Sequence, residues 1–494
     1  MSNWTALVLL ATVTFGQTRA MAFDEKSSTA VLLGPFFGPQ SRVSISGDFS
    51  SIAYTAGEKG SSTLYLNGKP IRTGEISGFS LSPTGKLAYV ARKGNQSFAN
   101  IDGKAFGPYE AIDTTRMTGP SSTDTGFFSS KDGKRNAFLA QKNGKWWPVI
   151  DGTESHMGYD TCQLSGFSQE EDRLGYVGLS DSSAIPVVED IGGPAFRPQG
   201  GNDLRMFLSK NGQHYICIAE RPDGNRMLVL DGRSQTQTFY KISGVMIAPD
   251  NIRVASLVAL DSKHEAVFLD QEQLGGVFDK IVTGPVFSPD GKHVAFAGMT
   301  GNGYALVVDG RAKQLATGHE IVEIAFSPRG RLFYLDFSQE APGPGGRAYR
   351  IVSAAEETKS EPYRQIYGVA FEPQTDDMLL YSGERFQNPN IGAVAQGSSG
   401  HLVFRGKDDP CEEASYPLFS PDGKHVIVAM RSQDGWSMFL DHQPIPGFHV
   451  MVPSCLANWW VTGGGCSAAA LTKSTTFMFY ATKMGQLYKV EWPF

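Results

Sequence analysis

An all-β chain built from one repeated sheet is what this sequence predicts, and three observations predict it. The string Ser288-Pro289-Asp290-Gly291-Lys292-His293-Val294 returns unchanged at 420–426. A second marker, an apolar run ending in Asp-Gly, recurs on the same beat. The composition favours short strands and tight turns: 56 of 494 residues are glycine, 11% are aromatic and 19% are charged, against about 25% charged in average usage.

Composition also excludes classes. Hydrophobic residues make up 41% of the chain, which rules out disorder. The glycine content rules out a long-helix protein. A formal net charge of -6 rules out a globally basic nucleic-acid binder, and the basic residues are scattered rather than gathered into a stripe.

The first marker has weaker copies at Ser82, Ser130, Ser209 and Ser327, and degenerate ones at Ser46, Ser168, Ala248, Glu372 and Thr472. From Ser168 to Ser327 the steps are 41, 39, 40 and 39 residues. The second marker reads Ile101-Asp102-Gly103, Ile150-Asp151-Gly152, Leu230-Asp231-Gly232 and Val308-Asp309-Gly310, and from Asp231 through Asp270 to Asp309 each interval is 39. Two independent markers with one period define a true repeat.

One unit shows why. Pro285 to Ser288 is a short apolar strand. Pro289-Asp290-Gly291-Lys292 is a turn, because proline presets φ and glycine accepts φ > 0. Strands follow over His293 to Ala297 and Tyr304 to Val308, with turns at Gly301-Asn302-Gly303 and Asp309-Gly310, and a ragged fourth strand ends the unit. A four-stranded meander of this size is one propeller blade, and blades bury both faces only by stacking around an axis. The chain is therefore read as a β-propeller of about ten or eleven four-stranded units.

That count exceeds the typical four to eight blades, which favours two packed propellers over one large ring. The Gly/Pro-rich stretches 192–202 and 341–346 are the candidate boundaries. Against a split, Ala30 to Leu33 is an orphan strand before the first unit, and the last unit lacks room for its fourth strand. The orphan can complete the last blade and close one ring.

The ends and cysteines bear on location. Residues 6–15 (ALVLLATVTF) are an apolar run of signal-peptide length, and Ala20 and Ala22 place small residues for cleavage after Ala22. Residues 1–22 are read as a signal peptide, 23–494 as the propeller, and the mature protein as periplasmic or secreted. No stretch is long enough to span a bilayer as a helix. Of five cysteines, Cys455 and Cys466 flank a glycine run and are a candidate disulfide.

The Ser-Pro-Asp-Gly-Lys turn followed by a Val-Ala-Phe type strand resembles the repeat of bacterial TolB-type, WD-repeat-like propellers. The resemblance covers roughly residues 40–492. It implies a propeller at the cell envelope that binds partner proteins, and it carries no binding residue across. The extra N-terminal domain of TolB has no counterpart.

The chemistry of individual residues is modest. The repeated Asp-Gly residues are turn formers, since one Asp per blade does not converge as calcium requires. No Gly-x-Ser-x-Gly is present for a serine hydrolase. No cofactor, metal or catalytic residue is assigned. His442 and His449, seven apart around Pro444-Ile445-Pro446, are a candidate ligand contact, as are Trp459 and Trp460. Trp146 and Trp147 read as core. Two functions remain. One is a non-enzymatic extracytoplasmic protein that binds a protein or an envelope polymer through propeller loops. The other is a carbohydrate-active or other hydrolytic propeller with carboxylates meeting at a central funnel. The repeats deviate most at 114–126, 340–359, 382–409 and 447–470, where loop-borne function is expected.

Overall fold

A computed structural model describes residues 28–36, 42–57, 62–113, 126–338, 348–382, 400–447, 449–450, 469–473, 475–484 and 486–494. The signal-peptide reading, the stretch 341–346, and Cys455, Trp459, Trp460 and Cys466 lie outside these residues.

The turn markers set the strands. In the unit analysed above the strands run Lys280–Phe287, Val294–Thr300, Gly303–Val308 and Arg311–Gln314. Ser288 is buried and its Oγ donates to Asp290 Oδ1 (2.6 Å), while the His293 amide donates to Ser288 Oγ (3.0 Å). The hydroxyl thus ties both sides of the first turn. At the third turn Asp309 has φ 48° and Gly310 φ 79°, the left-handed pair of a two-residue hairpin. Asp309 Oδ1 accepts the Val294 amide (3.0 Å), so this aspartate pins the third strand to the start of the second.

Among the described residues the strands form eleven antiparallel sheets, here blades one to eleven in chain order. Blade one begins at Val43–Ile45 and blade ten ends at Gln443–Pro444. Blade eight has three full strands, and its fourth position is held by single bridges, Val352 to Lys359 and Tyr349 to Tyr363. Blade eleven is composite. Its strands Thr476–Lys483 and Gln486–Pro493 come from the C-terminus, and its outermost strand is Thr29–Pro35. Ala30 faces Val490 and Leu32 faces Tyr488, so the orphan strand does complete the last blade.

The core runs without a break from blade to blade. Ala53, Leu64, Phe79 and Leu81 join blades one and two, and Met438, Leu440, Phe477 and Phe479 join ten and eleven. Ile52, Tyr54, Met478 and Tyr480 join eleven back to one. Past the stretch 192–202, Val177, Val188, Met206 and Cys217 form one cluster between blades four and five. Of the two arrangements the sequence allows, the structure takes the single eleven-blade ring, although the count had favoured two. Each fully buried Phe or Leu here contributes about 1.5–3 kcal/mol.

The closing strand leaves one glycine no latitude. Gly68 has φ 80°, and a Cβ there would sit 1.5 Å from Leu33 O of that strand. Gly103, the same repeat position in blade two, has φ 81° and open space around it. Gly68→Ala and Gly103→Ala therefore share a left-handed backbone cost of about 1 kcal/mol, and only the first displaces the closing strand. Thermal denaturation is expected to show a clearly larger loss for Gly68→Ala; equal losses would mean that the closing strand contributes nothing at this contact.

Candidate functional surface

The ring has two unlike ends. At one, the turn end, lie the turns between first and second strands and those between third and fourth. At the other lie the turns between second and third strands and the crossings to the next blade.

At the turn end, successive blades are bonded to one another. The Asp48 amide donates to Pro83 O (3.0 Å), the Lys131 amide to Asp172 Oδ1 (3.0 Å), and the Glu170 amide to Lys210 O (2.9 Å). The Asn211 amide donates to Asn251 Oδ1 (3.2 Å), Ser327 Oγ to Asp376 Oδ2 (2.7 Å), and Gln374 Nε2 to Pro421 O. Tyr480 Oη donates to Phe49 O (2.8 Å) across the ring closure. Histidines belong to the same scheme. His214, His293 and His425 bond through Nδ1 to Asp231 (2.7 Å), Asp309 (2.7 Å) and Asp441 (2.5 Å), each the aspartate of its own blade's Asp-Gly turn or its variant. Arg135 and Asp151 do the same in blade three (3.1 Å). The polar groups that recur are thus engaged in holding turns.

Three first-turn aspartates are held in the charged form. The Ser288 hydroxyl, then the Lys292 amide, hold Asp290 down to about 2, and Ser420 lowers Asp422 in the same way. Lys134 and Ser130 lower Asp132.

His442 belongs to this structural set. It sits in the last turn of blade ten with φ 70°, its Nδ1 bonds Asp409 of blade nine, and its side chain is 9% exposed. His449 begins the first strand of blade eleven, opposite Thr482, at the other end of the ring. The structure does not bring the two together. Trp147 donates Nε1–H to Lys142 O (3.2 Å) and lies against Gly158, where a Cβ would fall 2.5 Å from its ring; Trp146 packs into the core between blades three and four. Both are structural. Cys217 and Cys411 are buried, which pushes each thiol up to about 12.

The departures from the repeat lie elsewhere. At the turn end the described connections are short in every blade. At the opposite end the strands Leu332–Ser338 and Ala348–Ser353 of blade eight, and Met378–Ser382 and Gly400–Phe404 of blade nine, are separated by more residues than the second and third strands of other blades. The first strand is interrupted between Ala111–Ile112 and Phe128–Ser129 in blade three, and between His449–Val450 and Ala469–Lys473 in blade eleven.

Among the described residues, blade eight carries a buried polar pair there that the repeat does not account for. In blades four and seven an aromatic just ahead of the first strand lies on a glycine of the second: Tyr159 on Gly178, and Phe278 on Gly298. By register, the matching positions in blade eight are Gly318 and Asp336. His319 takes up the space, its Nδ1 2.9 Å from both Asp336 oxygens, with the two side chains 9% and 2% exposed. A buried ionisable pair stands where an apolar contact serves other blades, and such a pair is rarely kept for stability. Ser338 faces His319 in the ladder, but it is fully buried and its Oγ accepts from Arg350 Nη1 (3.4 Å), so the three residues do not form a nucleophile relay. In the same strands the Phe337 and Tyr349 rings lie tilted at 43° with centroids 4.8 Å apart, and from the preceding blade Tyr304 Oη donates to Glu320 Oε2 (3.4 Å).

Sequence reasoning did not find His319 and Asp336. Their signal was present: an acid at a second-strand position held elsewhere by Gly178, Val258 and Gly298.

No family model matches the chain, and no curated protein matches it. Among solved structures it is similar to a crystal structure of the eukaryotic initiation factor, at 12% identity and TM-score 0.41, with 80% of this chain and 95% of that one covered. It is similar to the β-propeller domain of the Trilobed protease from Pyrococcus furiosus, at 9% identity and TM-score 0.31, with 56% and 91% covered. TolB from Acinetobacter baumannii gives 13% identity and TM-score 0.24, with 67% and 79% covered. None of these likenesses carries an activity to this chain. Among the described residues no helix is long and apolar enough to cross a membrane.

Two expectations follow. Breaking a buried pair strands the other partner at about 3 kcal/mol or more, so His319→Leu and Asp336→Val each destabilise the ring and the double variant recovers most of the loss. Urea denaturation of the three variants checks this, and near-neutral single variants would contradict it. The second concerns acid. Asp290 and Asp422 have native pKa values below the unfolded value of about 3.9, so their contribution is complete above that pH and is lost as pH falls through the native values. Asp290→Asn with Asp422→Asn keeps the acceptor, as Asn211 does when it takes the Ser209 hydroxyl (2.7 Å). The double variant should lose Tm less steeply than wild type from pH 4 to pH 2; parallel slopes would exclude these carboxylates as the acid-sensitive groups.

Proposed function

We propose that the chain is an extracytoplasmic, non-enzymatic binding protein of the TolB-type, WD-repeat-like kind, which presents one end of its ring to a protein or envelope polymer. The observation that carries the reading is the inequality of the two ends. At the turn end the recurring Ser, Asp and His side chains are spent on one another, blade after blade. At the other end the repeat breaks in blades eight, nine and eleven, and half-buried aromatics stand at strand starts there, Tyr349 in blade eight and Tyr488 in blade eleven. Residues that amphipathic rings and irregular connections supply are those that protein surfaces use for contact. Export is supported by the apolar run at 6–15 and the small residues at 20 and 22.

The test is crosslinked capture from the native envelope, read by mass spectrometry, with the wild type and with variants in which 339–347 or 383–399 is replaced by a two-residue turn. The expected result is one dominant partner that the variants lose while their Tm is unchanged. Turnover of an envelope polysaccharide without a protein partner would overturn the binding reading in favour of a hydrolytic propeller.

A further inference from the structure

The outer rim of the ring consists of sheet edges, and an open edge offers unpaired N–H and C=O groups to any extended chain. Most of these edges are blunted. Four outermost strands are only two residues long: Thr153–Glu154, Ile191–Gly192, Arg233–Ser234 and Gln443–Pro444. Lys69–Thr73 carries Pro70 between charges, Lys407–Cys411 carries two aspartates and Pro410, and Glu272–Phe278 is broken by a register shift. Lys104–Tyr109 and Arg311–Gln314 begin on charged residues.

The closing strand Thr29–Pro35 is the exception. It is seven residues long, TAVLLGP, with no charge, and it is the last strand in its sheet. Val31 and Leu32 are 55% and 56% exposed. Successive residues point to opposite faces, so the strand offers apolar side chains on both sides of its free edge. It is also held firmly, by its ladder to Gln486–Pro493 on one side and by the approach of Leu33 O to Gly68 of blade one.

We propose that this edge pairs with the same edge of a second copy of the chain, antiparallel about a two-fold axis. The argument for a copy is charge. An uncharged apolar strand lies against itself without like charges facing, whereas the long rim strands with Lys or Asp repel their own copies. The isologous arrangement covers both free edges and both pairs of exposed Val31 and Leu32 side chains in one contact. The interaction goes beyond the proposed function, since it uses the rim and leaves both ends of the ring open.

Sedimentation of the purified protein over a dilution series tests it. The wild type is expected to be dimeric and to dissociate on dilution. Val31→Lys with Leu32→Lys should be monomeric at every concentration with the wild-type Tm, while Ile71→Lys, at an exposed apolar residue on a neighbouring rim strand, should remain dimeric. Leu32→Cys should give a covalent dimer under mild oxidation that the wild type does not give, which tests the contact even where the double-lysine variant loosens the closing blade. A wild type that stays monomeric, a dimer that survives the double-lysine substitution, or an edge occupied by a different protein would overturn the proposal.

Discussion

A four-stranded sheet with apolar residues on both faces is stable only where both faces are covered, and the rest of this structure follows from that constraint. In blade seven Ala295 and Ala297 belong to the core shared with blade eight, and Phe296 to the core shared with blade six. Alternation along one strand thus assigns side chains to two different interfaces. Every blade therefore needs two neighbours, and the only arrangement without uncovered ends is a closed ring. Closure then falls on Thr29–Pro35, which supplies the outer strand of blade eleven. One sheet is built from both ends of the chain.

The repeated polar residues serve the same constraint at closer range. A blade must turn three times within its height, and a turn that frayed would uncover the core on either side. The buried Ser of the first turn and the left-handed Asp of the third turn fix both returns, and the latter also takes the amide that begins the second strand. Because neighbouring first turns bond to one another, the turn end behaves as a belt rather than as separate loops. This spends the histidines and aspartates that would otherwise look like chemistry. At the opposite end the described blades differ more from one another, and the sheets of blades eight and nine form despite the long links there.

Much of this was legible in the sequence because the repeat states it twice. Ser288 to Val294 and its copy at 420–426 gave the first turn, the Asp-Gly series gave the third, and the absence of a fourth strand near the C-terminus pointed to Ala30 to Leu33. What sequence could not supply was anything that depends on register or on the next blade. His442 and His449 are close in the chain, but a strand's height separates them, and the true partner of His442 is Asp409, 33 positions earlier and in another blade. The choice between one ring and two was likewise hidden, since it depends on whether the core passes the stretch 192–202, and no local pattern reports that.

The pair in blade eight shows how a repeat protein exposes its own exceptions. In a unique fold a buried His and Asp invite many explanations. Here the neighbouring blades are internal controls: at the same positions Phe278 on Gly298 and Tyr159 on Gly178 fill the space with an apolar contact. Other blades are therefore built without this polar pair. The pair lies at the end of the ring where blades eight and nine depart most from the repeat. The same comparison singles out the closing strand among the rim edges, so the two features that set this ring apart from a bare scaffold are both found by asking where one blade departs from the others.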